Sequence, residues 1–154
     1  VKRWIIICLL IFISVQSLNK YIYNYLSLTI NQLNKVEKFS YDNLKEALNK
    51  LEVQSPDIIL RQAKLESGNF QSKIFKENNN FMGMMQPRVR ETTAIGKNRG
   101  HAVYENWYEC VKDIVLFQKY YQNRIKNSAN YYDFLSQIYA SDPNYIYKLK
   151  QIKI

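Results

Sequence analysis

The stretch from Ser55 to Phe70, Ser-Pro-Asp-Ile-Ile-Leu-Arg-Gln-Ala-Lys-Leu-Glu-Ser-Gly-Asn-Phe, constrains this chain more than any other. Ser55 is a preferred N-cap, and Pro56 suits the first helical position, where a missing N–H costs nothing. Asp57 puts a negative charge in the first turn, where the helix dipole favours it. Ile58, Ile59, Ala63 and Glu66 recur at spacings of three and four, so one stripe runs from aliphatic to acidic. Gly68 stops the helix, since glycine enters the left-handed conformation freely. Glu66 therefore falls in the last turn, on or beside the buried face. A carboxylate there meets apolar neighbours and the negative end of the dipole, and both favour the protonated form. A protonated carboxyl near neutral pH is what a general acid requires. The ordinary reading of such a residue is a solvated glutamate. The helix stop and the Asn-rich segment after it weigh against that reading here.

The chain has 154 residues, enough for one domain with a modest core. It carries 13 tyrosines against 7 phenylalanines, which suits a groove of amphipathic rings or a wet-edged core. A formal charge of +9 suits a polyanionic partner. The positive residues are scattered, so no nucleic-acid stripe is visible and no nucleic-acid partner is expected. Cys8 and Cys110 alone exclude a disulfide framework, and one His with so few Cys cannot build an ordinary zinc site. No metal or cofactor is expected.

Lys2 and Arg3 precede an apolar run from Trp4 to Ile13, then Ser14-Val15-Gln16-Ser17. Charged, apolar and small-residue segments in that order read as a signal peptide over residues 1–17. An uncleaved anchor touching the membrane is the rival, although the run is short for a span. Removing Lys2 and Arg3 from the 22 basic residues leaves 20 against 13 acidic ones, a mature charge of +7. The expected location is exported: periplasm, cell envelope or medium.

Residues 18–154 read as a single domain, monomeric and mainly α-helical. Helical periodicity runs from Leu18 to Val36, from Tyr41 to Leu51 and from Pro56 to Ser67, with one or two turns more from Gln71 to Glu77. Glu91 to Ile95 and His101 to Tyr104 read as short strands joined by Gly96–Gly100. Asn106 caps the next helix, with Glu109 in the capping-box place and Trp107, Val111, Ile114, Val115 and Gln118 on its face. Asn130 caps a helix from Tyr131 to Tyr139. Asp142-Pro143 opens the last, with Ile146, Leu149 and Ile152 inward.

Three segments carry a resemblance: Ala63-Lys-Leu-Glu66-Ser-Gly68, Asn79-Asn80-Phe81-Met82-Gly83 and Tyr104-Glu-Asn-Trp107-Tyr-Glu109-Cys-Val111. In order and gaps they resemble the glucosaminidase domain family of bacterial and phage peptidoglycan hydrolases. The similarity covers residues 56–121, and helices over 130–153 resemble an extension seen in related proteins. Met82 stands where the family has a second aromatic, and Cys110 where it usually has serine. The resemblance implies a lysozyme-like helical fold with a small β-hairpin lobe. It implies hydrolysis of a β-1,4 bond between N-acetylglucosamine and N-acetylmuramic acid in peptidoglycan glycan strands. By the same resemblance Glu66 is the catalytic acid. Asn79, Asn80 and Gly83 form the loop beside it, and Tyr104 is an aromatic at the groove.

Glycoside hydrolysis usually needs a second carboxylate across the bond. Glu91, Glu105 and Asp113 are the candidates, and Glu91 is favoured because it sits on the expected hairpin. An ion pair with Arg88 or Arg90 is its ordinary alternative. Attack by the substrate's own N-acetyl group removes the need for a second carboxylate. Asn79 and Asn80 also suit turn bonding. Rival activities are a lytic transglycosylase or lysozyme-type muramidase on the same fold, a non-catalytic wall-binding protein, and a cysteine peptidase using Cys110 and His101. A buried, inert Cys110 is the stronger reading of that thiol.

Overall fold

Residues 15–25, 37–138 and 141–154 are described in a computed structural model. The chain divides into residues 1–37 and residues 38–154. In the first unit residues 15–25 form a helix, α1, whose residues are all exposed. The run from Lys2 to Ile13 and the second half of the expected 18–36 helix lie outside the described residues. Among the described residues no helix is long and apolar enough to cross a membrane.

The second unit runs α2 (Tyr41–Lys50), α3 (Pro56–Glu66), α4 (Lys73–Asn78), β1 (Gly96–Asn98), β2 (His101–Val103), α5 (Trp107–Tyr120), α6 (Gln122–Asn127), α7 (Tyr131–Ile138) and α8 (Tyr145–Gln151). It is mainly helical with a small antiparallel hairpin, as the sequence predicts. Leu44, Ala47 and Leu48 of α2 are buried, with Ile59, Leu60 and Ala63 of α3 and Cys110, Val111 and Ile114 of α5. Phe134 and Leu135 of α7 and Leu149 of α8 complete the apolar centre. Each fully buried aliphatic side chain contributes about 1.5–3 kcal/mol. None of α6 is buried, which is why no periodicity announced it.

The helix starts are chemically distinct. Ser40 Oγ accepts from Asn43 N–H (3.1 Å), and Asn106 Oδ1 accepts from the N–H groups of Tyr108 (3.0 Å) and Glu109 (3.1 Å). Such caps contribute about 1 kcal/mol each. Glu109 turns its carboxylate to Lys112 (2.7 Å), which leaves the expected capping box half formed.

The hairpin is shifted from the sequence reading. Gly96 pairs with Val103, Lys97 with Ala102 and Asn98 with His101. The connection is therefore Arg99-Gly100, both at positive φ (51° and 84°), as a two-residue turn matched to strand twist demands. Residues 91–95 are not a strand: their hydroxyls bond backbone groups within the segment and on α5. Thr92 Oγ1 accepts from Ala94 N–H (3.1 Å), and Thr93 Oγ1 donates to the Glu109 carbonyl (2.6 Å).

Candidate active site

α3 ends at Glu66, where the sequence places its last turn. Its start differs in detail. Ser55 is left-handed (φ 55°) and its side chain caps nothing, because a capping side chain needs an extended backbone. Its carbonyl instead accepts from Ile58 N–H (2.9 Å) and Ile59 N–H (3.1 Å). After the Ser67 C-cap, Gly68, Asn69 and Phe70 all have positive φ (56°, 55° and 63°). A bulky residue is rarely found there. Ser67 Oγ accepts from Phe70 N–H (2.7 Å), and the Phe70 ring packs 4.9 Å from Phe39 and 5.9 Å from Phe75. The strained exit is thus held from both sides, and it fixes where the chain leaves Glu66.

Glu66 is half-buried, and its Oε1 accepts from the Tyr145 hydroxyl (2.8 Å). That hydroxyl accepts in turn from Gln62 Nε2 (3.0 Å), one helical turn before Glu66. Gln62 is fully buried and its Oε1 has no partner among the described residues. Tyr145 arrives on α8, which α3 grips further along. Arg61 donates to the carbonyls of Lys150 (3.4 Å) and Ile152, and Lys64 Nζ to that of Lys153 (2.8 Å). Those carbonyls belong to the end of α8, where intrahelical partners run out. Burial pushes the Glu66 carboxyl above the ordinary glutamate value, against the Tyr145 hydrogen bond and the nearby His101 charge.

The Asn-rich segment builds the loop beside the acid. Asn80 is buried and uses its whole amide on backbone. Its Nδ2 donates to the carbonyls of Met84 (2.8 Å) and Ala102 (3.0 Å), and its Oδ1 accepts from Met84 N–H (3.1 Å). Asn79 donates to the carbonyls of Tyr104 (3.0 Å) and Glu105 (3.2 Å). These bonds deliver Gly83 to Glu66. Gly83 has φ 63°, and a Cβ there would stand 3.7 Å from Glu66 Oε2. His101 Nδ1 lies 2.8 Å from the Gly83 carbonyl, which ties β2 to the same turn.

An open cleft of about 660 Å³ has Glu66, Gly83, His101 and Tyr145 in its lining. Met82, Met84, Met85, Pro87, Arg88, Val89 and Arg90 contribute, as do Phe117, Tyr120, Tyr121, Ser141 and Asp142. Of the residues singled out from the sequence, the cleft therefore gathers Glu66 and Gly83. Asn79 and Asn80 stand behind the loop. Tyr104 is buried, with its hydroxyl donating to Asp113 Oδ2 (2.7 Å). Glu91 is exposed, 3.7 Å from Lys119 and outside the cleft lining. Asp113 is clamped by Arg90 through two bonds (2.7 and 2.9 Å). Cys110 is fully buried, and that burial drives its thiol well above the usual range, which disfavours Cys110 as a thiolate nucleophile.

Tyr145, Gln62 and Asp142 were missed in the sequence. The sequence phase puts Ile146, Leu149 and Ile152 inward; Leu149 is buried as read, but the buried residue one turn before it is Tyr145 and not Ile146. Gln62 was legible as a polar residue one turn before Glu66 on a buried face. Among the described residues no group of three or more His, Cys, Asp or Glu side chains is placed to hold a metal ion.

The sequence model of the family described as Glucosaminidase, mannosyl-glycoprotein endo-beta-N-acetylglucosaminidase, matches residues 41–153. Among solved structures, the chain is similar to the catalytic domain of the autolysin Auto from Listeria monocytogenes. The two are 19% identical over 82% of this chain and 90% of that one, with a TM-score of 0.46. No curated protein matches the chain.

Proposed function

The chain belongs to the glucosaminidase family, and from that membership and the setting of Glu66 we propose that it hydrolyses peptidoglycan. The bond cut is a β-1,4 link between N-acetylglucosamine and N-acetylmuramic acid, in the manner of an endo-β-N-acetylglucosaminidase. An exported location follows from that substrate. The observation that carries the reading is the Glu66 carboxyl on the cleft wall, pushed toward its neutral form by burial and bonded by Tyr145.

The two influences on Glu66 divide the reaction between them. Burial favours the acid that gives its proton to the glycosidic oxygen as the C1–O bond breaks. The Tyr145 hydroxyl then donates to the carboxylate left behind, so the proton is held but can be released. Gly83 lets a sugar approach the carboxyl without a side chain in the way. Asn79 and Asn80 serve by holding that turn, and Tyr104 by orienting Asp113, which clamps Arg90 of the cleft lining.

The second group is the open part of the mechanism. Glu91 faces Lys119, Glu105 is exposed outside the cleft lining and Asp113 is fully engaged, so a two-carboxylate route falls to Asp142, the other carboxylate in the cleft lining. Asp142 is itself paired with Lys148 (2.6 Å). Glu66 is thus the carboxyl in the cleft lining that is not in an ion pair, which favours attack by the substrate's N-acetyl group, a route that needs no protein nucleophile. The same observation leaves room for a lytic transglycosylase, in which a sugar hydroxyl closes an anhydro ring.

Digestion of purified strands, with mass spectrometry of the new ends, tests the whole reading. Reducing N-acetylglucosamine ends are expected; anhydro ends mark the transglycosylase, and reducing muramic acid ends a muramidase. Glu66→Gln should lower turnover about 10²–10⁴-fold. Asp142→Asn and Glu91→Gln should each cost far less if the N-acetyl group is the nucleophile. Digestion by Glu66→Gln at the unmodified rate would remove the acid from this mechanism.

A further inference from the structure

We propose that Arg88 binds a carboxylate carried by the lactyl group of the muramic acid at the cleft, so that the cleft selects charged strands. The inference rests on the peptidoglycan reading above and adds the feature of the strand that is recognised.

It comes from matching the charges along the cleft. Arg90 is neutralised by Asp113, and Asp142 by Lys148. The Glu66 carboxyl is bonded by the Tyr145 hydroxyl, and the His101 ring is committed to the Gly83 carbonyl. Arg88 lines the same cleft, is exposed, and has no ion pair among the described residues. Among the described lining residues it is the permanent charge with no opposite charge paired to it. An arginine fork suits a carboxylate, which it can bind through two parallel bonds.

Arg88 is also held in place. It rides on the segment 85–89, which is pinned at both ends. Met84 is fixed through Asn80 and through Ala102 N–H to its own carbonyl (2.9 Å), and Arg90 through Asp113. Met85 and Val89 on that segment are 67% and 80% exposed. They offer apolar surface beside the cation, which suits the alkyl part of a lactyl group or peptide. A neutral N-acetylglucosamine polymer has nothing for this cation to bind.

Two sources supply such a carboxylate. In intact strands it belongs to the stem peptide. In strands stripped by an amidase it is the lactyl carboxylate itself. Both preparations would be compared with the same strands whose carboxylates have been converted to neutral methylamides by carbodiimide and methylamine. The unmodified protein should cleave charged strands with a kcat/KM about five- to tenfold higher than neutralised ones, mostly through KM, and less so at high salt. In Arg88→Gln that ratio should fall toward one, and Arg88→Lys should keep part of it. A preference confined to intact strands identifies the peptide carboxylate, and one kept on stripped strands identifies the lactyl group. A ratio of one in the unmodified protein, or a preference that Arg88→Gln retains, overturns the proposal while hydrolysis itself stands. Sedimentation of the protein with each strand is read in parallel. If no strand is cleaved, charge-dependent binding lost in Arg88→Gln still supports the site, and binding indifferent to charge sinks it.

Discussion

Glu66 and Asp113 are two carboxylates in one helical unit with opposite treatment. Asp113 is sealed from solvent and receives both guanidinium bonds of Arg90 and the Tyr104 hydroxyl. Burial alone would raise its affinity for a proton; Arg90 and Tyr104 reverse that and hold it below the ordinary aspartate value. Among the described residues Glu66 receives one hydroxyl, from Tyr145, and no cation in contact. Burial wins there. The contrast separates a charge used to build from a proton held ready to give. What decides between them is the number and charge of donors, since burial pushes both in the same direction.

The largest effect should come from undoing the built charge. Asp113→Asn leaves the Arg90 guanidinium in a nearly closed site (side chain 7% exposed) without its counter-charge. Breaking a buried pair from one side typically costs about 3–5 kcal/mol. That is a large part of the stability of a domain this size. Urea unfolding followed by circular dichroism checks it. The pH dependence has a definite sign. A folded-state value held below the ordinary 3.8 means that Asp113 stabilises the fold above that pH. The contribution is lost as pH falls through the lowered value. Asp113→Asn should remove that part of the acid transition. A change below about 1 kcal/mol, the scale of an exposed pair, would mean that the network is solvated and the contrast with Glu66 is overstated.

How far the sequence disclosed these two sites follows from the range of the forces involved. Glu66 was legible because its place depends on local signals: Pro56 at the helix start, aliphatic spacing, and Gly68 at the stop. The caps at Asn106 and Asn130 are local in the same way; Asn130 Oδ1 accepts from Asp133 N–H (3.1 Å). Tyr145 was not legible, because it meets Glu66 from 79 residues away and nothing local distinguishes Tyr145 from Ile146 as the inward residue. Arg90 and Asp113 are 23 residues apart, and Arg90 looked equally suited to Glu91. The hairpin register slipped because Gly96 and Gly100 are alike as turn signals. Only the pairing partners show that Arg99-Gly100 makes the turn.

A second, smaller effect sharpens the other half of the contrast. The carboxyl of Glu66 holds its proton more tightly in the folded chain than at the ordinary 4.5 of a free glutamate. Its contribution to stability is therefore full below that pH and lost as pH rises through the raised value. At neutral pH the fold carries a poorly solvated carboxylate, a stability cost of the kind active sites commonly bear. Glu66→Gln removes the charge and keeps the shape. Its Tm should exceed the unmodified protein's by about 2 °C at pH 7, with the gap closing near pH 4. Differential scanning calorimetry at both pH values decides it. An Asp113→Asn change in the same assay should move Tm the other way, and a fall in both variants would erase the distinction.

The smallest effect concerns how α8 is held. Tyr145→Phe removes the donor that favours the Glu66 carboxylate, so the acid form should persist to higher pH. The alkaline limb of kcat/KM should move upward, with kcat at its optimum lower by roughly tenfold, the scale of one hydrogen bond to a charged group. Arg61 never touches Glu66. It acts by gripping the carbonyls of Lys150 and Ile152, which sets α8 in register with α3. Arg61→Ala should therefore shift the same limb in the same direction, with a kcat loss of about two- to threefold. The double variant is the informative one. If Arg61 works through Tyr145, adding Arg61→Ala to Tyr145→Phe changes the pH profile little, because groups acting in series are not additive. A limb that moves equally in both backgrounds would assign Arg61 to general packing. Glu66 would then depend on Tyr145 alone, and its contrast with the several-fold anchored Asp113 would be sharper still.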